Sequence, residues 1–162
     1  MEAAPSISLA HTPQSGGAGI YALYYAGLSE LYVPVTSSAL PVPIYVGRAA
    51  GPSGDIRSKV KCHRIDIESC ENLSVDEFQV RYLPVEEIWA HGALRLMVGD
   101  HRPLWNVAVT GFGARDPGRE RRRQSRPNWD VLHPGRTWAA KMAAGRRTAK
   151  ELRAVVRRNL SN

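Results

Sequence analysis

Two short segments constrain this chain more than anything else in it: Gly19-Ile20-Tyr21-Ala22-Leu23-Tyr24-Tyr25 and Pro43-Ile44-Tyr45-Val46-Gly47-Arg48-Ala49. Both are rich in β-branched and aromatic residues and bounded by Gly or Pro, the composition of strands that pair as a hairpin. Side chains two apart in a strand share a face, so Tyr21 goes with Leu23 and Tyr25, and Tyr45 goes with Gly47. Pairing the segments can bring Tyr21 and Tyr45 to one surface. Tyrosines in strands also serve as core residues whose hydroxyls find a partner, so the two alone do not define a site.

The rest of the chain supplies layers for such a hairpin. The connection 26–42 is long, and Leu31-Tyr32-Val33-Pro34-Val35 within it is apolar enough for a short edge strand, where proline is tolerated. After a turn at Gly51-Pro52-Ser53-Gly54, Asp55 can cap a helix running to about Ile67. Ile56, Val60, His63 and Ile67 recur along it at helical spacing. Lys59 and His63, four apart, are neighbours on its surface, and Arg57 is off that face. Phe78, Val80 and Tyr82 alternate as a third strand, ended by Pro84. Ile88, Trp89, Leu94, Met97 and Val98 predict an amphipathic helix over 85–98 with its apolar side on the sheet. Arg102 to Asn106 reads as an extended link. The predicted class is α+β: a small three-stranded antiparallel sheet flanked by helices.

Three regions follow from composition. Residues 1–18, rich in Ala, Ser, Pro and Gly without a period, read as a disordered or arm-like lead. Residues 19–140 form the domain, and within it 111–137 has too little apolar content for a core and is expected on a surface. Residues 141–162 complete a basic helical tail, broken near Gly145, with Lys150, Arg153, Arg157 and Arg158 along one face. At 162 residues the chain is one domain, and 22 Lys and Arg against 15 Asp and Glu, a net +7, favour a polyanionic partner. No apolar run is long enough for a membrane span. Cys62 and Cys70, with His63 and His91, lack zinc-ligand spacing, and the chain reads as reduced and cytoplasmic.

Downstream of the two strands come Lys59-Val60-Lys61-Cys62-His63, Pro103-Leu104-Trp105-Asn106, Gly111-Phe112-Gly113, Asp116-Pro117-Gly118, Asn128-Trp129-Asp130 and Leu132-His133-Pro134-Gly135-Arg136-Thr137-Trp138. With Gly-Ile-Tyr and Tyr-Val-Gly before them, and in that order, they make the chain resemble the Eco29kI-type branch of the GIY-YIG nucleases, which are type II restriction endonucleases. The resemblance runs from about Gly19 to about Ala140. It implies Mg²⁺-dependent hydrolysis of double-stranded DNA at a palindromic site, by a homodimer in the cytoplasm of a prokaryotic cell.

The resemblance also assigns roles. Tyr21 is the general base or proton relay; a free phenol has a pKa of ~10 and needs a neighbour to act near neutrality, and His63 is that neighbour. Tyr45 holds the nucleophile or the scissile phosphate, and Asn106 lies near the phosphate or the metal. Lys59 stands where related enzymes carry a phosphate-clamping arginine, keeping the charge but losing the planar fork. The magnesium-binding glutamate falls on Leu94, which cannot ligate a hard cation, so no metal ligand is identified. The expectation is slow or absent cleavage, the alternative being a catalytically silent DNA-binding protein of the same fold. DNA contacts are expected from Arg48, Arg115, Arg119, Arg121, Arg122, Arg123, Gln124, Arg126, Asn128, Trp129 and Arg136, where arginine can read guanine and Gln or Asn adenine.

Plainer readings stand beside these. His63 can be a helix histidine without chemistry, Lys59 a solvated cation, Asn106 a residue bonding backbone, and Leu94 one more apolar residue of a buried helical face. Charge runs more often position phosphates than read bases. If the motifs are coincidental, the basic composition fits an RNA-binding protein instead.

Overall fold

The computed structural model describes residues 4, 6–11, 16–36, 42–51 and 54–160. Four strands, β1 (Ser6–Ser8), β2 (Gly19–Tyr25), β3 (Tyr45–Ala49) and β4 (Phe78–Pro84), form one antiparallel sheet in the order β1-β4-β2-β3. All of β2 is buried, because it is flanked by strands on both sides and covered on both faces. That is why its sequence is apolar and aromatic throughout instead of alternating with polar residues.

The register explains why the two tripeptides go together. Tyr21 lies opposite Gly47, and Leu23 opposite Tyr45, which puts the tyrosines diagonally on one face. A Cβ on residue 47 would sit 2.4 Å from the Tyr21 ring. The glycine of the second segment is therefore the space that the tyrosine of the first occupies.

The sheet has one strand more than the predicted three. Ile7 pairs with Val80 in β1, and Leu9 just beyond is fully buried. Ile7 and Leu9 are two apart and both meet the core, a short alternation hidden in a Ser- and Pro-rich context. Part of the expected disordered lead is thus sheet; 1–3, 5 and 12–15 of that lead lie outside the described residues, as do 37–41 of the long connection and the Pro52-Ser53 centre of the expected turn.

The segment expected as an edge strand forms a short helix instead, α1 (Val33–Thr36), preceded by the fully buried Tyr32. Proline is compatible with a first helical turn, where its missing N–H has no partner to lose. Helix α2 (Ile56–Glu68) starts as predicted, with the Asp55 carboxylate accepting from Ser58 N–H at 2.7 Å. Its buried stripe is the expected one with Asp66 added.

Helix α3 (Glu87–His101) covers the sheet face opposite Tyr21, with Leu94, Met97 and Val98 packed on Ala22, Tyr24 and Val46. Its contact stripe is narrower than predicted: Ile88 and Trp89 are 76% and 66% exposed. After Arg102 turns left-handed at φ 44°, the expected extended link is a helical turn, α4 (Leu104–Val107).

The region 111–137 corrects the surface-loop expectation. Phe112, Trp129, Leu132 and His133 are buried, and α5 (Asn128–Leu132) and α6 (Thr137–Ala140) interrupt it. The C-terminal helix α7 (Ala149–Leu160) is also built in, with Leu152 and Val156 fully buried and its basic side outward. The main core thus lies on the Tyr21 face of the sheet, between it and α2, α4, α5 and α7. Among the described residues no helix is long and apolar enough to cross a membrane.

Candidate active site

Tyr21 from the central strand and His63 from the middle of α2 meet inside this core, with the Tyr21 hydroxyl 2.7 Å from His63 Nε2. Both are nearly inaccessible, at 2% and 3% exposure. Tyr45, on the neighbouring strand, is half-buried, with its ring 6.4 Å from that of Tyr21 and its hydroxyl near enough to interact with the Tyr21 hydroxyl. Three side chains therefore form one line of proton-carrying groups, Tyr45 to Tyr21 to His63, with the outer phenol nearest solvent. Phe112 stacks on the imidazole at 4.6 Å and packs edge-on against Tyr45 at 4.9 Å, which fixes both rings and dries the inner part of the line.

The electrostatics follow from burial and neighbouring cations. Burial first, and then Tyr45, holds the Tyr21 phenol well above its ordinary pKa, so Tyr21 is a neutral hydroxyl at physiological pH. His63 is pushed down to about 3, chiefly by burial and further by the positive charges of Arg115, Lys59 and Arg136. It rests as neutral imidazole, able to accept a proton. Its other nitrogen, Nδ1, has no hydrogen-bond partner and faces Asp66 Oδ2 at 3.9 Å.

Among the described residues Asp66 is the carboxylate that faces the line, and it is already shared. Its oxygens lie 3.7 Å from the guanidinium groups of Arg136 and Arg115. Burial raises its pKa, against the two arginines that lower it. A Mg²⁺ ion requires several hard oxygen ligands in near-octahedral array. Two neutral phenols, an imidazole, a lysine, two arginines and one shared carboxylate do not fit that requirement. Among the described residues no three His, Cys, Asp or Glu side chains gather in a metal-binding group.

Leu94 does not change this. It packs against Ala22, Tyr24 and Val46 on the far face of the sheet, so a carboxylate there would not look toward Tyr45. The position that the resemblance gives to the magnesium-binding glutamate is a packing position, and the idea that Leu94 vacates a ligand site loses its geometric basis.

Asn106 also has a different task. Its Oδ1 accepts from Val46 N–H at 2.8 Å and its Nδ2 donates to Val46 C=O at 2.9 Å. Beside it, Trp105 N–H donates to Ile44 C=O at 2.9 Å. Together they cover the outer edge of β3, which no other strand among the described residues pairs. Asn106 fixes the strand that carries Tyr45 and is a step removed from the tyrosine–histidine line. Lys59 does lie beside the cluster, one turn before His63, close enough to depress its basicity.

The expected DNA contacts divide by burial. Arg115, Arg119, Arg121, Arg123 and Gln124 are exposed; Arg122, Arg126 and Asn128 are half-buried. Arg126 spends part of its guanidinium on the Ala139 and Ala140 carbonyls. An open polar groove of about 610 Å³ runs past Thr110, Arg123, Gln124, Arg126, Asn128 and Arg146. Arg48 is exposed, but alternation puts it on the α3 side of the sheet.

Trp129 and Arg136 drop out of the contact surface. Trp129 is fully buried. Arg136, 4% exposed, grips Asp130 with Nε–H···Oδ1 at 2.6 Å and a second bond to Oδ2, and lies between the Trp129 and Trp138 rings. It also donates to the Gly111 and Ala114 carbonyls. The sequence offered a signal for this: Asp130 and Arg136, six apart in an aromatic stretch, are a charge pair suited to burial.

The remaining motif residues likewise hold the fold. His133 Nε2 meets the Tyr32 hydroxyl at 2.6 Å and Nδ1 meets Asn72 Oδ1 at 3.0 Å, with the Trp105 indole donating to Tyr32 at 3.1 Å. Gly135 passes so near Ser69 that a Cβ would fall 1.7 Å from its carbonyl oxygen.

No curated protein matches the chain at a significant level. A family model, described as the Eco29kI GIY-YIG domain, matches residues 13–160 and so takes in strands β2 to β4, the tyrosine–histidine line and every helix of the core. With a match of that extent over an α+β fold that joins Tyr21, Tyr45 and His63, the chain belongs to the Eco29kI family of GIY-YIG domains, a nuclease family of the restriction-endonuclease type.

Proposed function

We propose that this chain is a site-specific endonuclease on duplex DNA, with Tyr45, Tyr21 and His63 as the proton path of phosphodiester hydrolysis. The observation that carries the reading is the buried 2.7 Å contact between the Tyr21 hydroxyl and His63 Nε2, continued outward through Tyr45. A water beside Tyr45 attacks phosphorus as the bond to the leaving sugar oxygen breaks; that oxygen takes a proton from solvent, and the attacking water passes its own proton to Tyr45. Tyr45 passes its own proton to Tyr21, and Tyr21 passes one to His63. No phenolate is needed, which suits hydroxyls whose burial makes them weak acids.

Substrate binding prepares the acceptor. Besides burial, Arg115 and Lys59 hold His63 basicity down. A phosphate seated against those two cations neutralises them, and the imidazole becomes a stronger base when DNA is present. The exposed arginines Arg119, Arg121 and Arg123 would position flanking phosphates, and the groove at Gln124 and Asn128 offers donors for base edges. One such centre cuts one strand, so a palindromic site would be cut by a homodimer. A prokaryotic cytoplasm is the compartment proposed for that activity.

One observation favours a second reading, a DNA-binding protein that no longer cuts: the side chains around the cluster do not make a magnesium site. The test is incubation with DNA of mixed sequence, with Mg²⁺ and with EDTA, alongside RNA. The proposal expects discrete double-strand DNA fragments. Tight binding without fragments in either buffer selects the silent reading, and preference for RNA removes both.

A further inference from the structure

We propose that Arg115, on the loop after Gly113, supplies the guanidinium of the reaction centre and forms with Lys59 a two-sided clamp for the phosphate over Tyr45. The inference rests on the nuclease reading of the cluster and extends it. The helix position that would provide planar recognition holds a lysine, which offers charge without a fork. The structure brings a guanidinium to the same histidine from another element.

Three features put it there. First, the loop lies directly on the site: Gly113 has φ +74°, and a Cβ on it would fall 2.7 Å from His63 Cε1 and 3.5 Å from the Tyr45 hydroxyl. A residue with a side chain could not pass so close, and Arg115 follows two residues later. Second, the loop is pinned on both sides of that glycine, since buried Arg136 donates to Gly111 C=O at 3.0 Å and Ala114 C=O at 3.1 Å. Third, Asp66 anchors Arg115, whose Nη1 lies 3.7 Å from Asp66 Oδ2.

That oxygen is buried and has no hydrogen-bond partner, and it also faces His63 Nδ1 at 3.9 Å. Asp66 thus positions the guanidinium and the imidazole together. The Arg115 side chain is 55% exposed, which leaves the rest of its donor fork open to solvent beside Tyr45. Arg115 is within electrostatic reach of all three members of the line, Tyr21, Tyr45 and His63.

The test uses the full chain, in EDTA, with the His63 imidazole followed by NMR while a deoxydinucleotide carrying one phosphodiester is titrated in. The clamp predicts a saturable His63 shift in the unaltered protein. Arg115→Gln should weaken that binding about tenfold or more, whereas Arg95→Gln, exposed on α3 across the sheet, changes it less than about threefold. Adding Lys59→Arg to Arg115→Gln should restore most of the loss, because a fork on either side of the phosphate serves. Arg115 is exposed, so its substitution spares the fold, which the amide spectrum checks. The proposal is overturned if His63 does not respond in the unaltered protein, or responds equally in Arg115→Gln. A normal response in a chain that never cuts DNA removes the nuclease reading and keeps the clamp; DNA cleavage with a response indifferent to Arg115 does the reverse.

Discussion

Lowering the pH from 7.5 to 5 should cost this protein about 4 kcal/mol of stability, half of it through His133. His63 and His133 are 3% and 2% exposed and each is pushed down to about 3, His63 by burial, Arg115, Lys59 and Arg136, and His133 by burial and Arg153. In the unfolded chain each returns to about 6.5. Between those values the unfolded state binds a proton that the folded state refuses. The stability linked to each histidine is therefore complete above about pH 6.5 and is lost as the pH falls toward 3. At pH 5 the linkage relation gives about 2 kcal/mol for each, a large share of the 5–15 kcal/mol typical of a domain. Urea unfolding at pH 7.5, 6.5, 5.5 and 5 measures the slope directly. In His133→Gln the slope should fall to about half, whatever the variant's absolute stability. An unaltered slope in that variant, or a stability that is flat from pH 7.5 to 5, would refute the reasoning.

Further outcomes follow from the same contacts. Gly47→Ala places a methyl group 2.4 Å from Cζ and the hydroxyl of Tyr21, the end of the ring that His63 holds; thermal unfolding should show a loss of about 2–3 kcal/mol, with cleavage lost because the ring must move. Leu94→Glu buries part of a charge against Ala22, Tyr24 and Val46 and should cost about 1–3 kcal/mol without creating Mg²⁺-dependent cleavage; a gain of such cleavage would show that α3 does face the reaction centre. Asn106→Ala unpairs both backbone groups of Val46 and should cost about 1–3 kcal/mol by urea titration, with duplex affinity kept below the unfolding range.

Much of the site was legible because strands announce themselves by composition and tripeptides by their glycines. The Gly-Ile-Tyr and Tyr-Val-Gly segments told which faces Tyr21 and Tyr45 share, and helical spacing put Lys59 and His63 on one side of α2. What was hidden depended on contacts distant in sequence. Asn106 reads as a free amide until the bare edge of β3 is placed beside it. Arg136 and Trp129 sit in a stretch with the composition of a DNA-reading loop, and only the pairing with Asp130 and the stacked indoles turn that arginine inward. Leu94 shows the limit of counting along a helix: spacing fixed its side of α3, but not which face of the sheet α3 covers. Ile7 and Leu9 were hidden for a simpler reason, since two apolar residues are too few for a period.

The central claim is that the Tyr45–Tyr21–His63 line moves the proton of phosphodiester hydrolysis, and Tyr21→Phe tests it most directly. The substitution keeps the ring opposite Gly47 and removes only the hydroxyl between Tyr45 and His63. Single-turnover cleavage of a duplex carrying the chain's own site should slow by about 10²–10⁴-fold, while affinity for that duplex stays within about threefold. A Tyr21→Phe protein that is folded and cuts at the rate of the unaltered chain would contradict the account.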